Sequence, residues 1–267
     1  MIFCHTEGMK PVLSALLVFL CSALYAQEQF SLRLPLEISI FSAGLATNAA
    51  AMLLRTDYDD WDGTIYDIHS VSGFDRAFAH RYDKTLDRCG DVALALSVVS
   101  PALLYATNTP QWKEITVMYA ESVLFSYGMK DIGKSLVERK RPYMYFANPS
   151  SAGTDGNDWK DSFPSGHSTM AFTGASFASY VFCKYNPQSQ YKVPVVATCF
   201  ALATGTSALR MSSGNHFATD VLAGAAIGCF SGIFIPWLHT LKTKHKNDKI
   251  ISSLRVSPQS ISFSYAL

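Results

Sequence analysis

The chain has 267 residues, with 22 Lys and Arg against 21 Asp and Glu, a net charge of +1 and seven His. That balance argues against a nucleic-acid partner, which is held by neutralising phosphates. Charged residues make up 16% of the chain and hydrophobic ones 49%, against roughly 25% charge in soluble domains, so disorder is excluded and membrane contact is expected. Mean hydropathy is a modest +0.13.

In chain order, residues 1–8 read as an upstream extension. Met9-Lys10, the apolar stretch 12–24 and the small Ala26 read as a secretory signal cleaved before Gln27, the alternative being an uncleaved anchor. Residues 27–250 read as a single helical domain and 251–267 as a tail. Apolar runs at 36–54, 92–107, 112–129, 168–183, 193–208 and 217–238 are each long enough for a helix rather than a strand. Most fall just short of the roughly 20 residues that span a bilayer. The fold class expected is therefore all-α: a bundle of five to six membrane-spanning or membrane-embedded helices. Residues 260–265 alternate with a period of two, like a half-buried strand.

The segment 55–91 carries nine Asp against five Lys and Arg and is expected to face water. Lys113, Lys184, Lys192 and the tail lysines Lys242, Lys244, Lys246 and Lys249 fall on the opposite side, the cytoplasm by the positive-inside tendency. An acidic loop outside needs an odd number of crossings before it. Glu37 and Asn48 would be costly at lipid depth, which favours the signal crossing while the run 36–54 lies flat or packs within the bundle. Six Cys at 4, 21, 89, 183, 199 and 229 form no metal or redox pair, and the last three read as buried apolar residues.

Three clusters at helix ends, all on the exterior side, carry the chemistry. Lys134 precedes Arg141-Pro142 by a spacing of seven, with Pro142 expected to stop the helix. Pro164-Ser165-Gly166-His167 opens the run at 168, where first-turn amides attract an anion. Arg210, His216 and Asp220 open the run at 217, and the i, i+4 spacing puts Asp220 within reach of His216 for a carboxylate–imidazole hydrogen bond. Each has a plain structural alternative: a dipole-complementing basic end, a helix cap, a dipole-compensating Asp. Together they supply two imidazoles, one carboxylate, three cations and an amide turn. Phosphoryl transfer needs such a set, because its transition state spreads charge over three equatorial oxygens. No metal-ligand spacing is visible, so neither a metal nor a cofactor is expected.

These residues resemble the type 2 phosphatidic acid phosphatase and vanadium haloperoxidase superfamily, whose signature is Lys-x6-Arg-Pro, Pro-Ser-Gly-His and Ser-Arg-x5-His-x3-Asp. Leu209 stands where the family has Ser; Thr206 and Ser207 are the nearby hydroxyls, and the support of Arg210 is the role affected. The resemblance implies a helical bundle with the phosphate site at its exterior end. It implies a metal-independent phosphatase in which His216, oriented by Asp220, is the nucleophile and His167 the acid and base. Lys134, Arg141, Ser165, Gly166 and Arg210 would bind phosphate. Expected substrates are lipid phosphates or diphosphates: lipid A, undecaprenyl diphosphate, phosphatidylglycerol phosphate or phosphatidate. The expected location is a bacterial inner membrane with the site facing the periplasm. Tyr143, Tyr145, Phe146 and Trp159 would flank acyl chains or pack the loop. The alternatives are a soluble periplasmic acid phosphatase, a vanadate-dependent haloperoxidase and a non-enzymatic phosphate-binding membrane protein.

Overall fold

The computed structural model describes residues 29–55, 60–107, 111–155, 158–241, 255–257 and 260–262. The expected signal and its cleavage point lie outside the described residues, as do Cys4, Cys21 and the tail lysines. Six long helices form the bundle: α1 (Leu34–Leu54), α2 (Lys84–Val99, extended by a 3-10 segment Ser100–Thr107), α3 (Trp112–Val137), α4 (Gly166–Tyr185), α5 (Lys192–Ser212) and α6 (Ala218–Leu238). Four of them, α1, α2 with its extension, α5 and α6, are long and apolar enough to cross a membrane. Five of them run beyond or up to both ends of the apolar stretches in the sequence, and α6 starts one residue inside its own, after Phe217. The extensions are polar turns: Asp83 caps α2 through its carboxylate, Ser165 caps α4, and α3 continues through Lys130, Asp131 and Lys134. Pro142 does not stop α3, as expected from the sequence. The helix ends at Val137 because Glu138 turns left-handed (φ 45°), and Pro142 instead opens a 3-10 turn.

Helix directions follow from which residues meet. Gly44 lies against Leu124, Gly128 against Thr47 and Asn48, and Ser135 donates to the Ala51 carbonyl, so α1 and α3 run parallel. The same logic pairs α2 with α4 (Asp91 to His167, Ser97 to Gly174) and α4 with α6. In the last pair Gly224, Gly228 and Gly232 recur every four residues. A Cβ at any of them would fall on the backbone or short side chains of Ser165, Thr169, Thr173 and Ser176. Small residues at this spacing let helix backbones approach closely where hydrophobic burial between helices gives little drive. The ends of α3 and α5 and the starts of α2, α4 and α6 therefore gather at one end of the bundle.

Of the two arrangements expected for the run 36–54, lying flat or packing within the bundle, the second is found: α1 lies along α3 over several turns, and its polar groups are used internally. Asn48 donates to the Gly44 and Leu124 carbonyls at 2.7 and 3.0 Å, and Glu37 accepts from the Arg33 amide at 2.9 Å. The polar groups of α1 are thus satisfied by packing partners inside the bundle. The acidic segment does not simply face water, since it folds over the site end and buries Asp75. Cys183 and Cys229 are only partly buried, whereas Cys199 is buried as expected. The alternating tail does form a strand: Ser260–Ser262 pairs antiparallel with Arg255–Ser257, Val256 opposite Ile261.

Candidate active site

His216 sits between α5 and α6 and is almost wholly enclosed. Its Nδ1 lies 2.7 Å from the Ser162 carbonyl, so Nδ1 carries the proton and Nε2 keeps its lone pair. Arg141 Nη1 stands 3.4 Å from that Nε2. The rest of the guanidinium is committed: Nη1 also donates to the Asn215 carbonyl (3.1 Å), Nε to the Asp158 carbonyl (2.8 Å), and Nη2 to both Asp158 carboxylate oxygens (2.6 and 2.7 Å). Burial works against the Arg141 charge, and Asp158 more than offsets it, raising its pKa. Burial pushes the His216 imidazole well below the ordinary histidine range, and the cations Arg141, Arg210 and Lys134 push it further. Neutral His216 is thus the resting form, with Arg141, Arg210 and Lys134 acting on it from three segments.

Asp220 occupies the first turn of α6 as expected, but the hydrogen bond to His216 is not made. Its Oδ2 is 3.9 Å from Nδ1, beyond hydrogen-bond range. Asp220 instead accepts from the Ser162 hydroxyl (2.5 Å), the Phe217 amide (2.8 Å) and Arg139 (2.5 Å). It acts on His216 through Ser162, whose carbonyl holds the ring. The spacing of four brought the two residues close, but the ring bonds the nearer Ser162 carbonyl while the Asp220 oxygens are taken by other donors. Arg139 was not singled out from the sequence. It also pairs with buried Asp75 at 2.8 Å and lies over the Phe217 ring, so it ties the acidic segment to α6. Burial opposes ionisation of Asp75, but hydrogen bonds from Arg139 and Thr219 prevail and lower its pKa.

The carboxylate–imidazole pair at bonding distance is a different one: His167 Nε2 lies 2.8 Å from Asp91 Oδ1. With Nε2 so engaged, Nδ1 is the ring nitrogen left to exchange a proton. Asp87, one turn earlier on α2, holds Arg210 Nη1 and accepts from Asn215 at 2.9 Å. Leu209 therefore does not leave Arg210 unsupported, since carboxylates on α2 replace the hydroxyl. Neither nearby hydroxyl substitutes for it: Ser207 donates to Ser168 (2.7 Å), and Thr206 bonds to Leu202 and meets Ser97. The Arg210 Nε is buried with no hydrogen-bond partner.

Ser165 is buried, its hydroxyl accepting from the Ser168 amide at 3.3 Å and its own amide donating to the Asp220 carbonyl at 3.0 Å. The expectation that the Ser165 amide binds phosphate is corrected: that donor is spent. The amides of Gly166 and His167 remain, since first-turn N–H groups have no acceptor within their helix. Lys134 lines a cavity of about 170 Å³ between α1 and α3, shared with Asp131, Asp161, Arg55, Tyr127 and Met52. Of the two roles open to the aromatic residues, the structure shows loop packing. Tyr143 and Trp159 are buried, and Tyr143 packs on Tyr82, Trp159 on Tyr66 and Tyr145 on Phe217, all within the loops over the site. Arg141, Arg210, Lys134 and His167 act on His216 through their charge, and Asp87, Asp91, Arg139, Asp158 and Ser162, which no local spacing marked, hold the site side chains in place.

Residues 115–244 match the PAP2 superfamily model. A lipid A 1-phosphatase from Porphyromonas gingivalis is 29% identical over 137 residues, 51% of this chain and 26% of that protein. The chain thus spans about a quarter of the length of this curated relative. The crystal structure of a transmembrane PAP2 type phosphatidylglycerolphosphate phosphatase from Bacillus subtilis aligns over 80% of this chain and 94% of its own, with 22% identity and a TM-score of 0.43.

Proposed function

We propose that this chain is a member of the PAP2 superfamily and a membrane-embedded phosphatase that hydrolyses a lipid phosphate through a phosphohistidine on His216. The observation that carries the reading is the Ser162 carbonyl on Nδ1, which leaves the opposite nitrogen neutral and facing Arg141. Attack by Nε2 on phosphorus forms the N–P bond as the ester P–O bond breaks, splitting one difficult displacement into two. His167 gives a proton to the departing alkoxide, then takes one from the water that cleaves the N–P bond. Asp91 stabilises the imidazolium that precedes the first transfer and is restored by the second.

Arg141 must exchange partners as the phosphoryl group arrives. All five of its N–H bonds are in use, and the one resting against the Nε2 lone pair is the one that attack releases to a phosphoryl oxygen. Arg210 offers its unpaired Nε, α4 its first amides and Lys134 its charge. The lipid character of the substrate is supported by the Lys134 cavity, whose lining sets the apolar Met52 and Tyr127 beside the charged Arg55, Asp131 and Asp161. A headgroup phosphate at Lys134 with its acyl chains leaving along α1 fits that arrangement. Lipid A phosphate, the substrate in the relative's name, comes first for trial, followed by undecaprenyl diphosphate, phosphatidylglycerol phosphate and phosphatidate.

The test is rapid quench with radiolabelled lipid phosphate on the purified chain. An acid-labile, base-stable phosphoprotein is expected in the wild type and absent in His216→Ala, with turnover reduced by at least about 10³. Near-normal hydrolysis by His216→Ala overturns the nucleophile assignment. Soluble phosphates assayed alongside separate this reading from a general acid phosphatase.

A further inference from the structure

We propose that Glu37, Glu121 and His239 form a binding site for one zinc-class divalent cation, at the end of the bundle opposite the phosphate site. The three residues come from α1, α3 and the residue following α6, and one donor atom from each lies within 4.8 Å of the others. Asp220 and His239 are separated by nineteen positions, which places the cluster roughly 28 Å from the phosphate site at 1.5 Å per residue.

The imidazole is already set as a ligand. His239 Nδ1 lies 2.9 Å from the Ile235 carbonyl, which assigns the proton to Nδ1 and turns Nε2 toward the carboxylates. Metal-bound histidines are held in this way, by a backbone or carboxylate acceptor on the far nitrogen. Nε2 then stands 3.2 Å from Glu37 Oε2 and 3.4 Å from Glu121 Oε2. Ligands about 2.05 Å from a tetrahedral zinc are separated by roughly 3.3 Å, so both spacings match the edge of a zinc coordination shell. Glu37 is oriented by the Arg33 amide on its other oxygen.

Glu121 is the independent observation. It is 1% exposed, and neither carboxylate oxygen has a hydrogen-bond partner. A buried carboxylate without hydrogen bonds is retained at a substantial cost unless a cation satisfies it. Two carboxylates and at most one imidazolium leave a net charge of −1 between packed helices, whereas a dication with neutral His239 brings the cluster to zero. Glu37, the least buried of the three, gives the ion a way in. A water would complete the fourth position.

The experiment uses the full chain, stripped with chelator, dialysed against Zn²⁺ in detergent and assayed for bound metal and thermal stability. One zinc per chain and a raised Tm are expected, with an X-ray absorption spectrum showing nitrogen and oxygen but no sulfur around the metal. Glu121→Gln should weaken zinc binding at least a hundredfold and abolish the Tm shift. Glu37→Gln, at the more exposed position, serves if Glu121→Gln does not fold. Turnover of lipid phosphate by the stripped enzyme should be unchanged at a temperature where it stays folded, so failure here leaves the phosphatase reading untouched. No zinc in the wild type, or equal zinc in a folded Glu121→Gln or Glu37→Gln protein, overturns the site. A carboxylic-acid infrared band in the wild type, absent from Glu121→Gln, would show that the cluster holds a proton instead.

Discussion

At the residue scale, the chemistry turns on which partner each titratable group has chosen. His216 must be neutral to attack. Because burial and then the three cations depress its pKa well below 6.5, the neutral form persists as pH falls. The acid limb of kcat/KM attributable to the free enzyme's nucleophile should therefore lie below 6.5, and Arg210→Gln should move it upward by relieving repulsion. A profile measured from pH 4 to 8 whose acid limb lies at 6.5 or above in the wild type contradicts the assignment. The same depression has a stability consequence of fixed sign. Below 6.5 the unfolded histidine binds a proton that the folded one excludes, so stability falls with pH by up to about 1.4 kcal/mol per unit. Above 6.5 this contribution vanishes. Arg210 supports a sharper comparison. Leu209→Ser should change turnover by less than about threefold, because Asp87 already holds the guanidinium, whereas Asp87→Asn should cost on the order of tenfold to a hundredfold through misplacement. Steady-state kinetics on the two variants decide it. The sequence marked Arg210, His216 and Asp220 because they share a local spacing. It could not mark Asp87 or Asp91, which lie more than 70 positions from the residues they serve and stood among seven other aspartates in a segment whose net charge spoke for solvent. Nor does a spacing of four say whether two neighbours bond. Asp220 and His216 are adjacent, yet the Ser162 carbonyl took the ring.

At the scale of elements, the site depends on how closely α4 and α6 approach, since one carries His167 and the other is preceded by His216. The apolar runs and the Ser165 cap of α4 were legible in the sequence, because hydropathy and capping are local. The parallel pairing of these helices was not, because it is set by where side chains are missing on facing surfaces. Gly228 shows this: a Cβ there would fall on the Thr169 carbonyl and near the Thr173 amide, both backbone atoms that cannot rotate away. Gly228→Ala should separate the helices at a cost of about 1–3 kcal/mol, typical of overpacking. Turnover should fall with stability, because the α4 first turn moves relative to His216. Gly205 in α5 is the control, since a Cβ there meets nothing within 4 Å. Gly205→Ala should be neutral or stabilising by up to about 1 kcal/mol through helix propensity alone. Unfolding of both variants in the same detergent checks the pair, and equal destabilisation would mean that close approach is not what these glycines provide. Arg139 fastens the same region from above by joining Asp75 to Asp220. Arg139→Met leaves two buried carboxylates unpaired and should cost about 3–5 kcal/mol, the range for breaking a buried ion pair from one side.

At the scale of the whole molecule, the two ends of the bundle differ in chemistry. The acidic segment and the site residues occupy one end. Lys113 at the start of α3, Lys184 at the end of α4 and Lys192 at the start of α5 occupy the other. Lipid-facing helices between ends of opposite character predict a fixed orientation, with the lysine end in the cytoplasm. The site then faces the exterior, where a lipid phosphate of the outer leaflet or its precursor is presented. Cys89, exposed at the site end, and Gln190, exposed between α4 and α5, report the two sides. In a variant whose other cysteines are alanine, Cys89 should react with a membrane-impermeant maleimide in intact cells. On a cysteine-free background, Gln190→Cys should react only after permeabilisation. The membrane fraction should keep both proteins through a carbonate wash, because helices with this much exposed apolar surface are held by lipid rather than by charge. Labelling of Gln190→Cys in intact cells, with Cys89 protected, would place the site on the cytoplasmic side and redirect the search for its substrate to the inner leaflet.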